Sequence, residues 1–278
     1  MEYLDRNSAP LNESEWSQID QTVIQTAAHL LVGRKVLNLT GPLGSGVSEL
    51  PYTVFNGQKQ ACVDLSGNNS ENVVEATSRA RAVFPMIYQD FKLNWREIES
   101  ARKIGLPFDT ASAAIAARFV AIQEDEIVFN GSNAFNTIGL LNTPNSLKVQ
   151  LQKWEDAGAA LADTVKAVET LSAAGHYGPY AMVLSSKLFG QTIRPIGQCG
   201  QLILDQMKNL MKGGIHFTNA IHGNKGVVIA TGTHNAVLAI GTDINTSFLG
   251  PVNMNHLFRV FESVALLVRA PDSICVIE

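Results

Sequence analysis

The sequence predicts an α+β chain: helix-period segments come early, a mixed region occupies the middle, and strands fill the C-terminal part. Three observations carry this reading. Apolar residues recur at helical spacing between 12 and 33, and again in an alanine-rich stretch from 110 to 129. Residues 51–88 show no helical period, and 74–82 alternate as a strand does. From 226 onward the chain is built of apolar runs punctuated by Gly, Asn and Pro. With 278 residues the chain is long enough to bury a large core without disulfides or metal. Only 17% of it is charged, against about 25% in an ordinary soluble domain, so its surface lacks the usual density of charge.

The elements follow in order. Asn12 with Glu15 forms a capping-box pattern, and Trp16, Ile19, Val23, Ala27, Leu30 and Leu31 then mark an amphipathic helix running to Gly33. Gly41-Pro42-Leu43-Gly44-Ser45-Gly46 breaks the chain. Within 74–82, Val74, Ala76, Ser78, Ala80 and Ala82 share one face, opposite Glu75, Thr77, Arg79 and Arg81. A two-stranded arm with so little to bury is marginal alone, so its partner surface is expected on another chain. Asn94 with Glu97 caps a short helix carrying Trp95 and Ile98, and Asp109 caps the alanine-rich helix that ends at Asn130-Gly131. The last turns of that helix hold Glu124, Asp125 and Glu126, the wrong sign for a helix C-terminus. Basic partners are therefore expected, with Arg79 or Arg81 of a neighbouring subunit the natural ones. A helix around 161–171, a strand at 180–184 and helices near 187–193 and 202–211 come next. The last two flank the loop Gly197-Gln198-Cys199-Gly200-Gln201. Strands are expected at 226–230, 236–240, 258–268 and 273–277.

Several function classes drop out. With 21 Lys+Arg against 25 Asp+Glu the net charge is −4, which gives no electrostatic footprint for nucleic acid. No apolar run is long enough to span a membrane, and the N-terminus lacks a secretory h-region. Cys62, Cys199 and Cys275 are too few and too scattered for a disulfide framework or a zinc knuckle, which fits a reducing compartment. The glycines at 41–46 lack the Lys-Ser/Thr of a phosphate loop. No Glu-x-x-His pair or His-Glu-x-x-His exists for an iron or zinc centre, and His216, His222 and His234 have no ligand partners nearby in sequence. No Gly-x-Ser-x-Gly elbow is present, and Cys199 has no basic residue within three positions to lower its pKa. Trp95, close to Tyr88 and Phe91, is a candidate for stacking a planar cofactor, although core packing is the commoner role for such a ring.

The opening Glu2-Tyr3-Leu4-Asp5-Arg6, with Ala9-Pro10-Leu11, Trp16, Ile19-Asp20, Gly33-Arg34-Lys35 and Gly41-Pro42-Leu43-Gly44, resembles the N-terminus of family 1 encapsulin shell proteins. Later landmarks agree in order: Gln123-Glu124-Asp125-Glu126, Gly139-Leu140-Leu141, Gly178-Pro179-Tyr180, Asn255-His256, Phe258-Arg259-Val260 and Pro271-Asp272. The resemblance implies the Hong Kong 97 phage-capsid type of fold, a closed icosahedral homo-oligomer in the cytoplasm, and no catalysis by the shell. It implies an N-terminal arm and inner helix over 1–46, an extended loop over 47–88, a peripheral domain from 89–140 and 241–278, and an axial domain over 141–240. A cargo groove would involve Leu31, Arg34, Val36, Asn38, Ile244 and Phe248, receiving a short aliphatic C-terminal tail of the cargo. The loop Gly197, Gln198, Cys199, Gly200 and Gln201 would ring a fivefold pore, and here it is uncharged, unlike in many relatives. Leu257 stands where relatives usually have proline. The implied cargo is a ferritin-like iron-oxidising protein, with iron ions passing through the shell; a dye-decolourising peroxidase is the alternative cargo. Some relatives bind a flavin at the tryptophan matching Trp95; no other cofactor and no metal are implied. The rival classes are a phage capsid protein of the same fold and, more remotely, a discrete enzyme of the bacteriocin or protease type.

Overall fold

The structure is a computed structural model that describes residues 4–55, 61–63, 65–66, 73–105, 108–156, 158–195 and 200–278. Its organising element is a long antiparallel hairpin, β9 (Ala236–Val252) and β10 (Asn255–Val268). Asn253 and Met254 form the turn with φ of 49° and 67°, the left-handed backbone that a two-residue hairpin needs to match strand twist. Together with β1 (Asn38–Thr40) and β4 (Met86–Leu93) the hairpin makes a four-stranded sheet in the order β1-β9-β10-β4.

One face of this sheet carries two helices, α1 (Glu13–Leu30) and α4 (Ala111–Asn130). The expected capping box is present: the Asn12 side chain accepts from the Glu15 N–H, and the Glu15 carboxylate accepts from the Asn12 N–H, both at 2.9 Å. Trp16, Ile19, Val23 and Ala27 are the buried stripe of α1, while Leu30 reaches solvent and the chain turns inward at Leu31. Phe258 of β10 lies at the centre of this layer. It stacks on Phe91 at 5.3 Å, meets the edge of Trp16 at 5.6 Å and touches Phe248 at 5.2 Å. Each such ring contributes roughly 1.5–3 kcal/mol by burial. The alanines of α4 at 113, 116, 117 and 121 are all buried, as an alanine-rich face pressed onto a helix and a sheet should be.

The other face of the sheet receives the arm. β2 (Glu49–Val54) and β3 (Ser78–Val83) pair as an isolated antiparallel ribbon, and Tyr52, Ala82 and the following Phe84 pack on Ala239, Ala265 and Leu267. The Phe55 N–H donates to the Arg269 carbonyl at 2.7 Å. The expectation that the arm must find its support on another chain is therefore corrected at its root: Tyr52 and Phe84 supply the apolar bulk that the small alternating residues lack. Farther out, Val63, Leu65, Val73 and Val74 are exposed.

A second sheet has the order β5-β11-β8-β6-β7, from Leu147–Val149, Ile274–Ile277, Gly226–Ala230, Tyr180–Ser185 and Ile215–Thr218. Ala181, Val183, Val227, Ile229, Ile274 and Val276 face the same core as α4. Their alternates, Met182, Leu184, Val228, Ala230, Cys275 and Ile277, are covered by α5 (Ala159–Ala173) and α7 (Ile203–Leu210). Burial on both faces explains why these strands read as continuous apolar runs. Within the expected segment 241–278, β10 belongs to the four-stranded sheet and β11 to the five-stranded one.

Three short helices complete the set: α2 (Gly33–Val36), α3 (Trp95–Ile104) and α6 (Ser186–Thr192). At the end of α4 the backbone doubles back so tightly that a Cβ on Gly131, whose φ is +70°, would lie 2.3 Å from the Thr137 carbonyl oxygen. Leu140 and Leu141 then donate to the carbonyls of Val128 and Phe129 at 2.9 Å, tying the two halves of the chain together.

Candidate functional site

The polar centre of the molecule lies where α1 ends, α2 begins, α4 passes and the hairpin bends. Its position follows from a bulge. Phe261 pairs with Asn245 but Ser263 pairs with Thr242, so Asp243 and Ile244 of β9 stand opposite Glu262 alone. A bulge re-aims side chains that regular alternation would send to opposite faces. Here Asp243 reaches Arg34 while Ile244 packs against Ala27, Leu31 and Ala121.

Arg34, on α2, is caged by carboxylates. Its Nε donates to both Glu124 oxygens at 3.0 Å, its Nη2 donates to Glu124 and Glu262 at 2.6 Å each, and its Nη1 donates to Asp243 at 2.7 Å. The side chains of Glu124 and Glu262 have no exposed surface, that of Arg34 is 14% exposed and that of Asp243 is 55% exposed. Hydrogen bonds and charge from these carboxylates overcome burial and hold the guanidinium firmly protonated. Burial, followed by the charge of Glu124, pushes the Glu262 carboxyl well above the ordinary carboxylate range.

One residue along, Asp125 accepts from the backbone N–H of Val32 and Gly33 at 3.0 and 2.9 Å and from the Thr218 hydroxyl at 3.0 Å. It thus caps the start of α2 and links it to β7. Burial raises its pKa to about 6 against the opposing pull of these donors. Glu126 accepts from Asn130 at 2.9 Å and lies 3.3 Å from His222.

The acidic run is therefore used differently from the expectation. Glu124 and Asp125 are not inter-subunit residues: they are buried and their partners, Arg34 and the Val32 and Gly33 amides, belong to the same chain. Successive helix positions point about 100° apart, which sends Glu126 alone toward the surface. Arg79 and Arg81 are exposed on the arm, and Arg81 lies 3.7 Å from Glu49 on the paired strand.

The expected groove is also redistributed. Leu31, Val36 and Phe248 are buried in the chain's own core, so they underlie a surface rather than form it. Arg34 is committed to its cage. Asn38 is exposed at the start of β1, and Ile244 is half-buried. The two are not neighbours, because Asn38 pairs with Val237, seven positions before Ile244 on β9. An open cleft of about 880 Å³ runs along α1, lined by Arg6, Leu11, Trp16, Asp20 and the exposed Ile24. Arg6 closes one end, donating to Asn245 at 2.8 Å and to the Thr246 carbonyl at 3.1 Å. Of the loop 197–201, only Gly200 and Gln201 lie within the described residues, and both are exposed. Trp95 is half-buried, with the Arg96 guanidinium 5.4 Å from its ring.

Sequence reasoning missed Asp243 and Glu262. A signal existed for Glu262, a lone carboxylate in the apolar run 258–268, since a charge buried in a strand must be paired. Among the described residues no group of three or more His, Cys, Asp or Glu is placed to hold a metal ion. Among them, too, no helix is long and apolar enough to cross a membrane.

A spine helix beside a long hairpin, a two-stranded arm and a second sheet define the phage-capsid type of fold. The solved structures agree: a virus-like particle from Pyrococcus furiosus superposes with a TM-score of 0.77 at 19% identity, covering 96% of this chain and 100% of that one. The capsid of Myoviridae phage XM1 gives a TM-score of 0.63 at 12% identity, covering 89% and 91%. Sequence kinship is narrower. Residues 1–265 match the family described as encapsulating protein for peroxidase. The chain is 39% identical over 277 residues to the type 1 encapsulin shell protein EncA of Myxococcus xanthus, covering 100% of this chain and 96% of that protein. A ferritin-like-encapsulin shell fusion protein of Pyrococcus furiosus is 23% identical over 232 residues, covering 84% of this chain and 62% of that protein. This chain belongs to the encapsulin shell family, whose members are structural, capsid-like proteins and not enzymes.

Proposed function

We propose that this chain closes into an icosahedral homo-oligomeric shell in the cytoplasm that encloses a ferritin-like, iron-oxidising cargo. Membership of the encapsulin family over nearly the whole chain supports the shell. The ferritin-like fusion relative supports the cargo: the shell admits iron and the cargo oxidises it. The loop at 197–201 serves as the pore. The phage-capsid alternative is disfavoured by the contrast between 39% identity to an encapsulin shell and 12% to a phage capsid.

The observation that carries cargo docking is the bulge at Asp243-Ile244, which leaves Ile244 half-buried next to Asn245, the partner of the cleft-lining Arg6. A short aliphatic cargo tail lies along the open cleft of α1, with apolar side chains against Ile244 and the exposed Ile24. Leu31, Val36 and Phe248 form the floor beneath. The test is co-expression with a ferritin-like protein bearing such a tail, followed by isolation of intact particles. Ile244→Asp with Ile24→Asp should give empty particles, and normal loading of that variant overturns the groove.

The family's description favours a second cargo, a peroxidase. Side-by-side loading with a peroxidase cargo distinguishes the two. The cofactor reading is a flavin stacked on Trp95. It requires flavin absorbance in purified shells that Trp95→Ala abolishes.

A further inference from the structure

The cage around Arg34 contains more negative charge than its one guanidinium neutralises. Glu124 from α4, Glu262 from β10 and Asp243 from β9 all contact it, and the first two have no exposed side-chain surface. Glu124 and Glu262 each place an oxygen 2.6 Å from the same nitrogen, Nη2. The remaining Glu262 oxygen, Oε1, is buried without a hydrogen-bond partner. Among the described residues no second cation bonds the pair: Asp125, next along α4, is occupied with backbone amides, and β4 presents Ile87 opposite Glu262. Three ionised carboxylates would leave a net charge of minus two, most of it out of water, and carboxyl groups brought this close do not both ionise near neutrality.

We infer that Glu124 and Glu262 share a single proton, and that this proton acts as a latch holding α2 and α4 against the bulged hairpin. The latch sits where the chain joins its N-terminal helix to the sheet, so its loss loosens α2 and the Asp243-Ile244 bulge together. The inference is independent of what the shell encloses.

The sign follows from which form the fold prefers. Burial and the neighbouring Glu124 carboxylate raise the Glu262 pKa in the folded chain. The stabilisation is then fully present below the ordinary glutamate range and is lost as pH rises through the elevated folded value. Alkaline conditions should therefore weaken the joint, the opposite of what an ordinary salt-bridged glutamate does.

The experiment is thermal unfolding of assembled particles from neutral to alkaline pH. Wild-type particles should lose several degrees of midpoint along the alkaline limb. Glu262→Gln, which cannot ionise, should keep its midpoint as pH rises, whereas Glu262→Ala should be weakened at every pH. A purely structural role predicts no such rescue of the pH profile. If Glu262→Gln shows the same alkaline loss as wild type, the shared proton is wrong. Should the variants fail to assemble, infrared spectra of wild-type particles with isotope-labelled glutamate decide the matter. A protonated carboxyl band at neutral pH that disappears on alkalinisation supports the inference, and no such band overturns it.

Discussion

The Arg6 guanidinium forks onto the Asp20 carboxylate at 2.7 and 2.8 Å while lying 4.5 Å above the Trp16 ring. The same side chain bonds Asn245 and the Thr246 carbonyl, so the N-terminal segment is strapped across α1 onto β9 by one residue. Arg6→Ala should cost about 1–2 kcal/mol, since the pair is part-exposed but bidentate and stacked. The loss should appear as a lower unfolding midpoint and faster proteolytic removal of the segment before α1. Arg6→Lys, which keeps the charge but not the fork, should recover little of it.

The turn after α4 tolerates no side chain. Gly131→Ala places a Cβ against the Thr137 carbonyl in a backbone conformation with φ of +70°, and should destabilise by about 3 kcal/mol or more. A denaturant titration of the refolded chain measures it. By contrast, Gly105→Ala, where φ is +71° but a Cβ would meet nothing within 4 Å, should cost only about 1 kcal/mol.

Two described cysteines should differ in reactivity. Cys275 is buried in β11 and burial pushes its thiol up to about 12, whereas Cys62 is exposed. In a Cys199→Ser background, a thiol reagent at mildly alkaline pH should label Cys62 at once and Cys275 only on unfolding.

The C-terminal side chain gives an acid-side prediction. Glu278 accepts from Lys148 at 2.5 Å and Lys225 at 2.6 Å, and these two bonds hold its carboxyl down to about 2 from an ordinary 4.5. Its contribution is present above the ordinary value and is lost as pH falls through about 2. Glu278→Gln should therefore unfold earlier than wild type at neutral pH and indistinguishably from it at the acid end. The effect should be small, because the group is part-exposed and screened by solvent.

Local chemistry made much of the fold readable from sequence. The Asn12–Glu15 box, the Asn94 cap of α3 and the Gly105 and Gly131 stops are short-range signals, and each lies where expected. The full length of β9 was not legible, because its second half passes through Thr242, Asp243, Asn245, Thr246 and Ser247, whose polarity hides the strand period, and its turn lacks the usual glycine. The strands β5 and β7 are short and owe their form to pairing with distant segments. The site was legible in composition but not in connection. Arg34 and the acidic run stood out, yet their joining through Asp243 and Glu262 depends on a bulge that only the assembled hairpin defines. Burial of Leu31, Val36 and Phe248 likewise follows from tertiary packing that helical and strand spacing do not encode.

The chain is poor in charge, and α4 exposes the apolar side chains of Ile115, Phe119 and Ile122, which the proposed shell would cover with further copies of the chain. Electron microscopy of the purified protein tests this most directly. The account predicts closed, hollow particles of uniform diameter with icosahedral symmetry. Discrete monomers or dimers at the same concentration would contradict it.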